Sequence, residues 1–246
     1  WMGEWKDGLF HPFNNEPKML DILPGHLAPT VARAADGQLR AIGIVDERRT
    51  PQAQEDAGWA HTYSLPRTWR LMPDQRTLGQ APAPELRKLR GECLATSGAR
   101  NLSEEPITLA TMPHAYELEV QLGDTTESAV VAFDLLCSPD REECTRVSFD
   151  LGLDEVVLDL SQSTTSGERE GPDVVRGTYD RTAFGDPQTV RVFVDGSVID
   201  VFVNDSAAFA FRSYPERSDS TGVQVTALKG NISTSRVAAW ALSLPE

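Results

Sequence analysis

The sequence predicts an all-β chain, and three observations carry that prediction. Nearly everything after residue 110 alternates polar and apolar residues with the two-residue period of half-buried strands. Turn signals separate these runs at short intervals, Asp195-Gly196 most clearly. No stretch after residue 91 keeps a helical period. Many short strands at regular spacing describe a β-sandwich or barrel.

Taken in order, residues 28–33, 38–46, 60–65 and 68–72 are candidate strands, with Ala35-Asp36-Gly37 turning between the first two. Four strands in this length make one antiparallel sheet of propeller-blade size, which buries its faces only against neighbouring blades. The opening Trp1 reads as the start of an excised or processed piece. Residues 81–90 (APAPELRKLR) read as a Pro-punctuated linker followed by one or two helical turns. Beyond it, residues 116–122 (YELEVQL) alternate cleanly, and 128–136 (SAVVAFDLL) read as a strand buried on both faces. Residues 145–151 and 155–160 follow. The pair 189–195 and 198–204 is a hairpin about Asp195-Gly196, with Val190, Val192 and Val194 on one face. Residues 207–212, 222–228 and 236–244 complete the set. The organisation expected is 1–80 as a partial sheet domain, 81–91 as linker and 92–246 as a sandwich.

The 246 residues carry a net charge of −14, with 40% hydrophobic and 24% charged residues. This is globular composition. The acidic balance argues against nucleic acid and anionic membranes as partners, since both are held through Lys and Arg. No apolar run reaches the roughly 18 residues of a spanning helix. The charge is uneven. Residues 1–90 hold 12 basic and 11 acidic residues, and the remainder 11 and 26. The excess acid of the second part reads as a solubilising coat on solvent-facing strand positions.

Cys93, Cys137 and Cys144 cannot all pair. A disulfide could close the loop between Cys137 and Cys144, but free, partly buried thiols are the favoured reading, and no second pair completes a zinc site. The triplets at Asn101, Asn204 and Asn231 carry little weight. His11, His26, His61 and His114 lack metal-ligand spacing. No phosphate loop or nucleophile elbow occurs. No cofactor or metal is implied, and the compartment stays open, leaning to secreted or extracytoplasmic.

The arrangement as a whole resembles glycoside hydrolase family 32, the invertases, inulinases and levanases. Gly3-Glu4-Trp5 with Gly8-Leu9-Phe10-His11-Pro12 is similar to its "G-x-aromatic … F-x-P" strand pair. Asp21 with Gly25-His26-Leu27-Ala28-Pro29-Thr30 sits where the family has "D-Y-G-x-x-Y-A-x-x-T". Residues 39–47 (LRAIGIVDE) resemble "R-x-L-x-G-W-x-x-E", and 58–67 (GWAHTYSLPR) resemble "G-W-x-x-x-x-S-L-P-R", the most specific match. Pro84-Glu85-Leu86 with Leu89-Arg90 is similar to the family's linker. Residues 192–204 resemble "I-F-V-D-x-S-x-V-E-V-F-V-N", and Thr221-Gly222-Val223 fits the next strand.

That resemblance implies the last blade of a five-bladed β-propeller followed by a C-terminal β-sandwich. It implies a C-terminal portion of a β-fructofuranosidase-like enzyme, hydrolysing or transferring fructosyl units of sucrose or fructans. In the complete enzyme an Asp attacks the anomeric carbon, while a Glu protonates the leaving oxygen and then activates water. The motifs carrying these carboxylates are missing here. Glu92-Cys93 spells one of them, but lies after the linker and reads as a solvated carboxylate. The partners implied are a fructose-containing saccharide and the N-terminal propeller portion, in the same protein or an associated polypeptide. Leu27 and Ile44 stand where the family has pocket aromatics. His26, Asp46 and Glu47 are the substrate-binding candidates, and no catalytic residue is assigned. The alternative is a non-catalytic carbohydrate-binding or interaction module, or a degenerate family member, with Trp59, Trp69, Tyr214 and Trp240 as the aromatics to test.

Overall fold

A computed structural model describes residues 1–244. The first third holds β1 (Gly3–Lys6), β2 (Leu9–Pro12), β3 (His26–Arg33), β4 (Leu39–Val45), α1 (Pro51–Ala57), β5 (Thr62–Tyr63), β6 (Arg67–Leu71) and β7 (Leu78–Pro82). β1 and β2 form a hairpin of their own. The remaining strands make one antiparallel sheet in the order β3-β4-β6-β7, with β5 paired to β4. Strands were expected at all these places except β7, whose first residues precede the expected linker. α1 was not expected. Its signals are local: the Thr50 hydroxyl caps Ala53 N–H, Pro51 opens the first turn, and Gly58 ends the helix in the left-handed region.

A turn of 3₁₀ helix (Pro84–Leu89) leads into the larger part. There follow β8 (Arg90–Ser97), β9 (Arg100–Asn101), β10 (Ile107–Leu109), β11 (Ala115–Thr125), β12 (Val130–Cys137), β13 (Cys144–Asp150), β14 (Glu155–Gln162), β15 (Val174–Thr178), α2 (Arg181–Phe184), β16 (Thr189–Asp195), β17 (Val198–Val203), β18 (Ala207–Arg212), β19 (Gly222–Lys229) and β20 (Ile232–Leu242). They build two antiparallel sheets. One runs β10-β19-β12-β13-β14-β15 and the other β18-β17-β16-β11-β20-β8, with β9 on β20. The hairpin of β16 and β17 turns at Asp195-Gly196 as expected, pairing Asp195 with Val198, and Gly196 has φ of 57°.

The inner faces of the two sheets share one core. Val190, Val192 and Val194 lie in it, with Phe133 packed edge-on against Phe149 at 5.9 Å between centroids. A second small cluster sits on the outer face of the seven-stranded sheet. Here Leu86 of the 3₁₀ turn and Ala83 cover Phe193, Phe202 and Ala208.

Two expectations change. Cys137 ends β12 and Cys144 begins β13, so the hairpin brings their Cα atoms to 4.0 Å and they are joined as a disulfide. Cys93 is free and exposed. The acidic residues of the sandwich are not all a solvated coat. Glu117, Glu119, Asp134, Glu143 and Asp200 are buried. Each is satisfied from within the protein: Asp134 by Arg141 and Arg146, Glu143 by the backbone N–H groups of Thr165, Glu216 and Arg217.

Candidate functional site

The candidates His26, Asp46 and Glu47 gather at one end of the first sheet. His26 pairs with Val45 in register, and the Asp46 N–H donates to the Gly25 carbonyl at 2.9 Å. Leu27 pairs with Ile44, so the two positions that depart from the family's aromatics form one cross-strand pair.

The His26 ring is turned inward and fully buried. It lies flat against Gly43, where an added Cβ would sit 2.3 Å from Nε2, so only glycine leaves room. Nε2 lies 3.1 Å from the Ser64 hydroxyl, while Nδ1 is 3.8 Å from Asp21 and has no hydrogen-bond partner among the described residues. Burial, helped by the nearby Arg67 charge, pushes the imidazole down to about 4. Asp46 keeps a partly exposed carboxylate, paired with Arg48 at 3.0 Å. Glu47 is buried and saturated. Arg49 grips it with two bonds, at 3.1 and 2.9 Å, and the Tyr214 hydroxyl donates to it. The N–H groups of Arg48, Arg49 and His61 also point at it. Burial alone would raise its pKa, but these donors hold the carboxyl far below the usual range.

Glu47 therefore ties the first sheet to the sandwich through Tyr214, with Arg212 3.8 Å away. Of the four aromatics singled out in the sequence, Trp59 is half exposed with the Arg49 guanidinium 4.3 Å from its ring. Trp69 donates to Gln80, Tyr214 to Glu47, and Trp240 lies beneath Arg90 at 3.7 Å. Glu92 is exposed on β8, at the edge of the seven-stranded sheet opposite β18.

A second cluster was missed in the sequence. Arg67, fully buried, donates to Asp21 at 2.7 Å, to Gln80 at 3.0 Å and to Asp200 of β17 at 3.0 Å. Asp200 also accepts the Leu65 N–H. All three charged residues were read as letters of motifs, Asp21 in the "D-Y-G" segment, Arg67 closing "S-L-P-R" and Asp200 in the hairpin. Their joint presence was the available signal. The strap before β3 completes the joint. Ile22 N–H donates to the Ala208 carbonyl, and Leu23 enters the sandwich core. Gly177 lets the strap pass, since a Cβ there would meet the Ile22 oxygen at 2.0 Å.

The first sheet has a second face. Leu27, Ile42 and Tyr63 are exposed on it, Trp59 is exposed ahead of β5, and the hairpin exposes the cross-strand pair Trp5 and Phe10 on one side and Leu9 on the other. The cross-strand set of Leu27, Ile42 and Tyr63 gives this face of the sheet an exposed apolar stripe.

Known proteins share this architecture. The fold superposes on fructan 1-exohydrolase IIa of Cichorium intybus, crystallised in complex with 1-kestose, with a TM-score of 0.81 at 18% identity, covering 98% of this chain and 52% of that one. An exo-inulinase from Aspergillus awamori gives 0.78 at 19% identity, covering 98% and 49%. In sequence, a sucrose-6-phosphate hydrolase of Staphylococcus xylosus is 25% identical over 207 residues, 82% of this chain and 39% of that enzyme. The chain thus spans about half, or less, of these relatives. Residues 85–241 match the family model described as "Glycosyl hydrolases family 32 C terminal". With most of its length matched in this way, the chain belongs to glycosyl hydrolase family 32, and corresponds to the C-terminal part of its members.

Proposed function

We propose that this chain is the C-terminal portion of a β-fructofuranosidase-like enzyme. In this reading the first sheet, 1–80, is the final blade of a five-bladed propeller, 81–91 is the linker and 92–246 the stabilising sandwich. The observation that carries it is the uncovered apolar face of the first sheet and hairpin. A sheet with one face docked on the sandwich and the other bare lacks a neighbour. Relatives of about twice the length or more have chain to spare for such a neighbour, and they are named for hydrolysis of fructans and sucrose 6-phosphate.

The catalytic carboxylates then come from the preceding part of the polypeptide, or from an associated chain. One carboxylate attacks the fructosyl anomeric carbon; the other protonates the departing oxygen and later takes a proton from water. This chain contributes one wall of the pocket. Asp46, partly exposed and acceptor-only, contacts sugar hydroxyls. Glu47 and His26 hold the Asp46 loop and the start of β3 in place, Glu47 through Arg49 and Tyr214, His26 against Gly43. The cross-strand pair of Leu27 and Ile44 makes this wall aliphatic, which favours aliphatic contact over ring stacking on the sugar. That same pair favours the second reading, a family member that binds sugar without cleaving it.

One experiment separates the two. The full-length protein is assayed on sucrose, sucrose 6-phosphate and linear fructan, beside residues 1–246 alone. Hydrolysis by the full-length protein and none by the fragment is the expected result. Saturable fructan binding without turnover in either form would establish the second reading instead. Within the enzyme, Asp46→Asn is expected to raise KM roughly tenfold or more, as loss of one charged hydrogen bond does.

A further inference from the structure

Glu143 belongs to the sandwich, yet the two loops it holds both end beside Asp46. It sits just before Cys144, whose disulfide to Cys137 closes the hairpin. Its own backbone is pinned to Ser138, whose N–H donates to the Glu143 carbonyl at 2.8 Å and whose hydroxyl accepts the Glu143 N–H at 3.0 Å. The side chain is fully buried. Asp134, on the neighbouring strand, is satisfied by two arginines. Glu143 instead takes five neutral donors: the Thr165 N–H and hydroxyl, the N–H groups of Glu216 and Arg217, and the Ser220 hydroxyl. A carboxylate out of water depends on such donors, so both loops must come to it.

The first loop, residues 163–173, joins β14 to β15 and is anchored at Thr165. A few residues on, the Glu168 carbonyl accepts the Thr50 N–H at 2.8 Å, and the Glu170 N–H donates to the Arg48 carbonyl at 2.7 Å. Gly171 follows with φ of 93°, and a Cβ there would lie 3.1 Å from the Arg48 guanidinium, so the loop packs closely on that side chain. The second loop, residues 213–221, joins β18 to β19 and is anchored at Glu216, Arg217 and Ser220. Two residues before Glu216, the Tyr214 hydroxyl accepts the Arg48 N–H at 3.2 Å. Ser213 has a further tie, to Thr145 at 2.6 Å, so this arm depends less on Glu143 than the first does.

Arg48 is thereby held at its N–H, its carbonyl and its guanidinium by loops that share one anchor. Its guanidinium pairs with Asp46 at 3.0 Å, so the place of Arg48 sets the direction of the Asp46 carboxylate.

We propose that Glu143 is a positioning residue, which orients Asp46 towards sugar through the two loops and Arg48. The sugar contact of Asp46 rests on the proposed fructosidase function; the placement of residues 46–50 by Glu143 does not.

The test is a double-mutant cycle in the full-length protein. KM and kcat for sucrose and a linear fructo-oligosaccharide are measured for the natural sequence, Glu143→Gln, Asp46→Asn and the double variant. Thr165→Val and Ser220→Ala, each losing one hydroxyl donor, repeat the cycle, so loss of the fold in Glu143→Gln would leave the coupling measurable. Hydrogen exchange is read in each variant. Glu143→Gln is expected to raise KM about fivefold with kcat within about twofold, and to raise it less than about twofold once Asp46 is Asn, since the contact it orients is already lost. Exchange should rise at residues 48–50 and 168–170 while Val190–Val203 stays protected. Thr165→Val should act in the same direction more weakly, and Ser220→Ala more weakly still. An equal rise of KM in both backgrounds, or unchanged exchange at residues 48–50, would overturn the proposal. Where sugar is bound without turnover, Kd takes the place of KM in the cycle. A full-length protein that neither binds nor cleaves these sugars fails the fructosidase reading alone, and the exchange at residues 48–50 then decides whether Glu143 places them.

Discussion

The sandwich and the first sheet are held by opposite means. The sandwich joins its two sheets through a dry interior of Val, Leu, Ile and Phe, with Phe133 and Phe149 at its centre. The first sheet meets the sandwich through buried charge: Arg67 between Asp21 and Asp200, and Glu47 among Arg49, Tyr214 and Arg212. A dry core tolerates loss of atoms in proportion to the cavity left. A buried ion cluster depends on every member, because removing one leaves an uncompensated charge. The joint is therefore the more specific contact and the sandwich the more forgiving one. Arg67→Met should show the largest effect, about 3–5 kcal/mol, since it strands two carboxylates with no counter-charge. Phe133→Ala should be of similar size, about 3–5 kcal/mol, from transfer and cavity terms. Their maps should differ. Hydrogen exchange is expected to rise in residues 20–82 for Arg67→Met, with Val190–Val203 still protected. For Phe133→Ala it should rise in the sandwich strands. The same map for both variants would mean that the two regions unfold as one.

The next largest effect distinguishes the regions by pH. A histidine in an unfolded chain titrates near 6.5, whereas His26 is pushed down to about 4. Between these values the folded state binds fewer protons than the unfolded one. The contribution of His26 is therefore complete above pH 6.5 and is lost as pH falls towards 4, by about 3 kcal/mol at most. Burial raises Asp21 and Asp200, so their sign is the reverse: acid favours their folded form. In the sandwich, burial works against Asp134 and Glu143 too, but their donors win and hold both low. Their contribution is present above the ordinary carboxylate range and is lost only as pH drops below it. The His26 contribution to the joint should thus fall between pH 6.5 and 4, against the opposing contributions of Asp21 and Asp200, while the sandwich pairs still hold. His26→Gln, which can keep a bond to Ser64, should flatten the fall in denaturation midpoint between pH 7 and 5. An unchanged slope would remove His26 from the account.

The two regions were also unequally legible. Strands β11 to β14 and β16 to β18 could be read because alternate residues face one core, and alternation is a local property. β8, β10 and β15 escaped because they are sheet edges or very short, where Gly91, Gly177 and mixed polarity blur the period. The joint could not be paired from sequence at all. Arg67 is 46 residues from Asp21 and 133 from Asp200, and nothing local links them. Their positions inside family motifs could be recognised, but not that those motifs meet in one ion cluster. Of the candidate site, the clustering of His26, Asp46 and Glu47 at one strand end was readable from the two strands that carry them. The inward turn of His26 was not, since it follows from the room that Gly43 leaves across the sheet.

The smallest expected effect tests whether burial, rather than charge pairing as such, holds the joint. Arg40 of β4 bonds Glu85 of the 3₁₀ turn at 3.0 Å and Asp36 at 2.7 Å, so this pair also links the first sheet to the rest of the chain. Its geometry matches that of the Arg67 cluster, but Glu85 and Asp36 lie in solvent. Water already solvates these carboxylates, and fixing the long Arg40 side chain offsets much of the attraction. Glu85→Gln should leave the denaturation midpoint within measurement error at physiological salt, and raising salt should leave the natural sequence equally unmoved. A shift comparable to that of Arg67→Met would mean that the number of ion pairs across the joint, and not their desolvation, sets its strength.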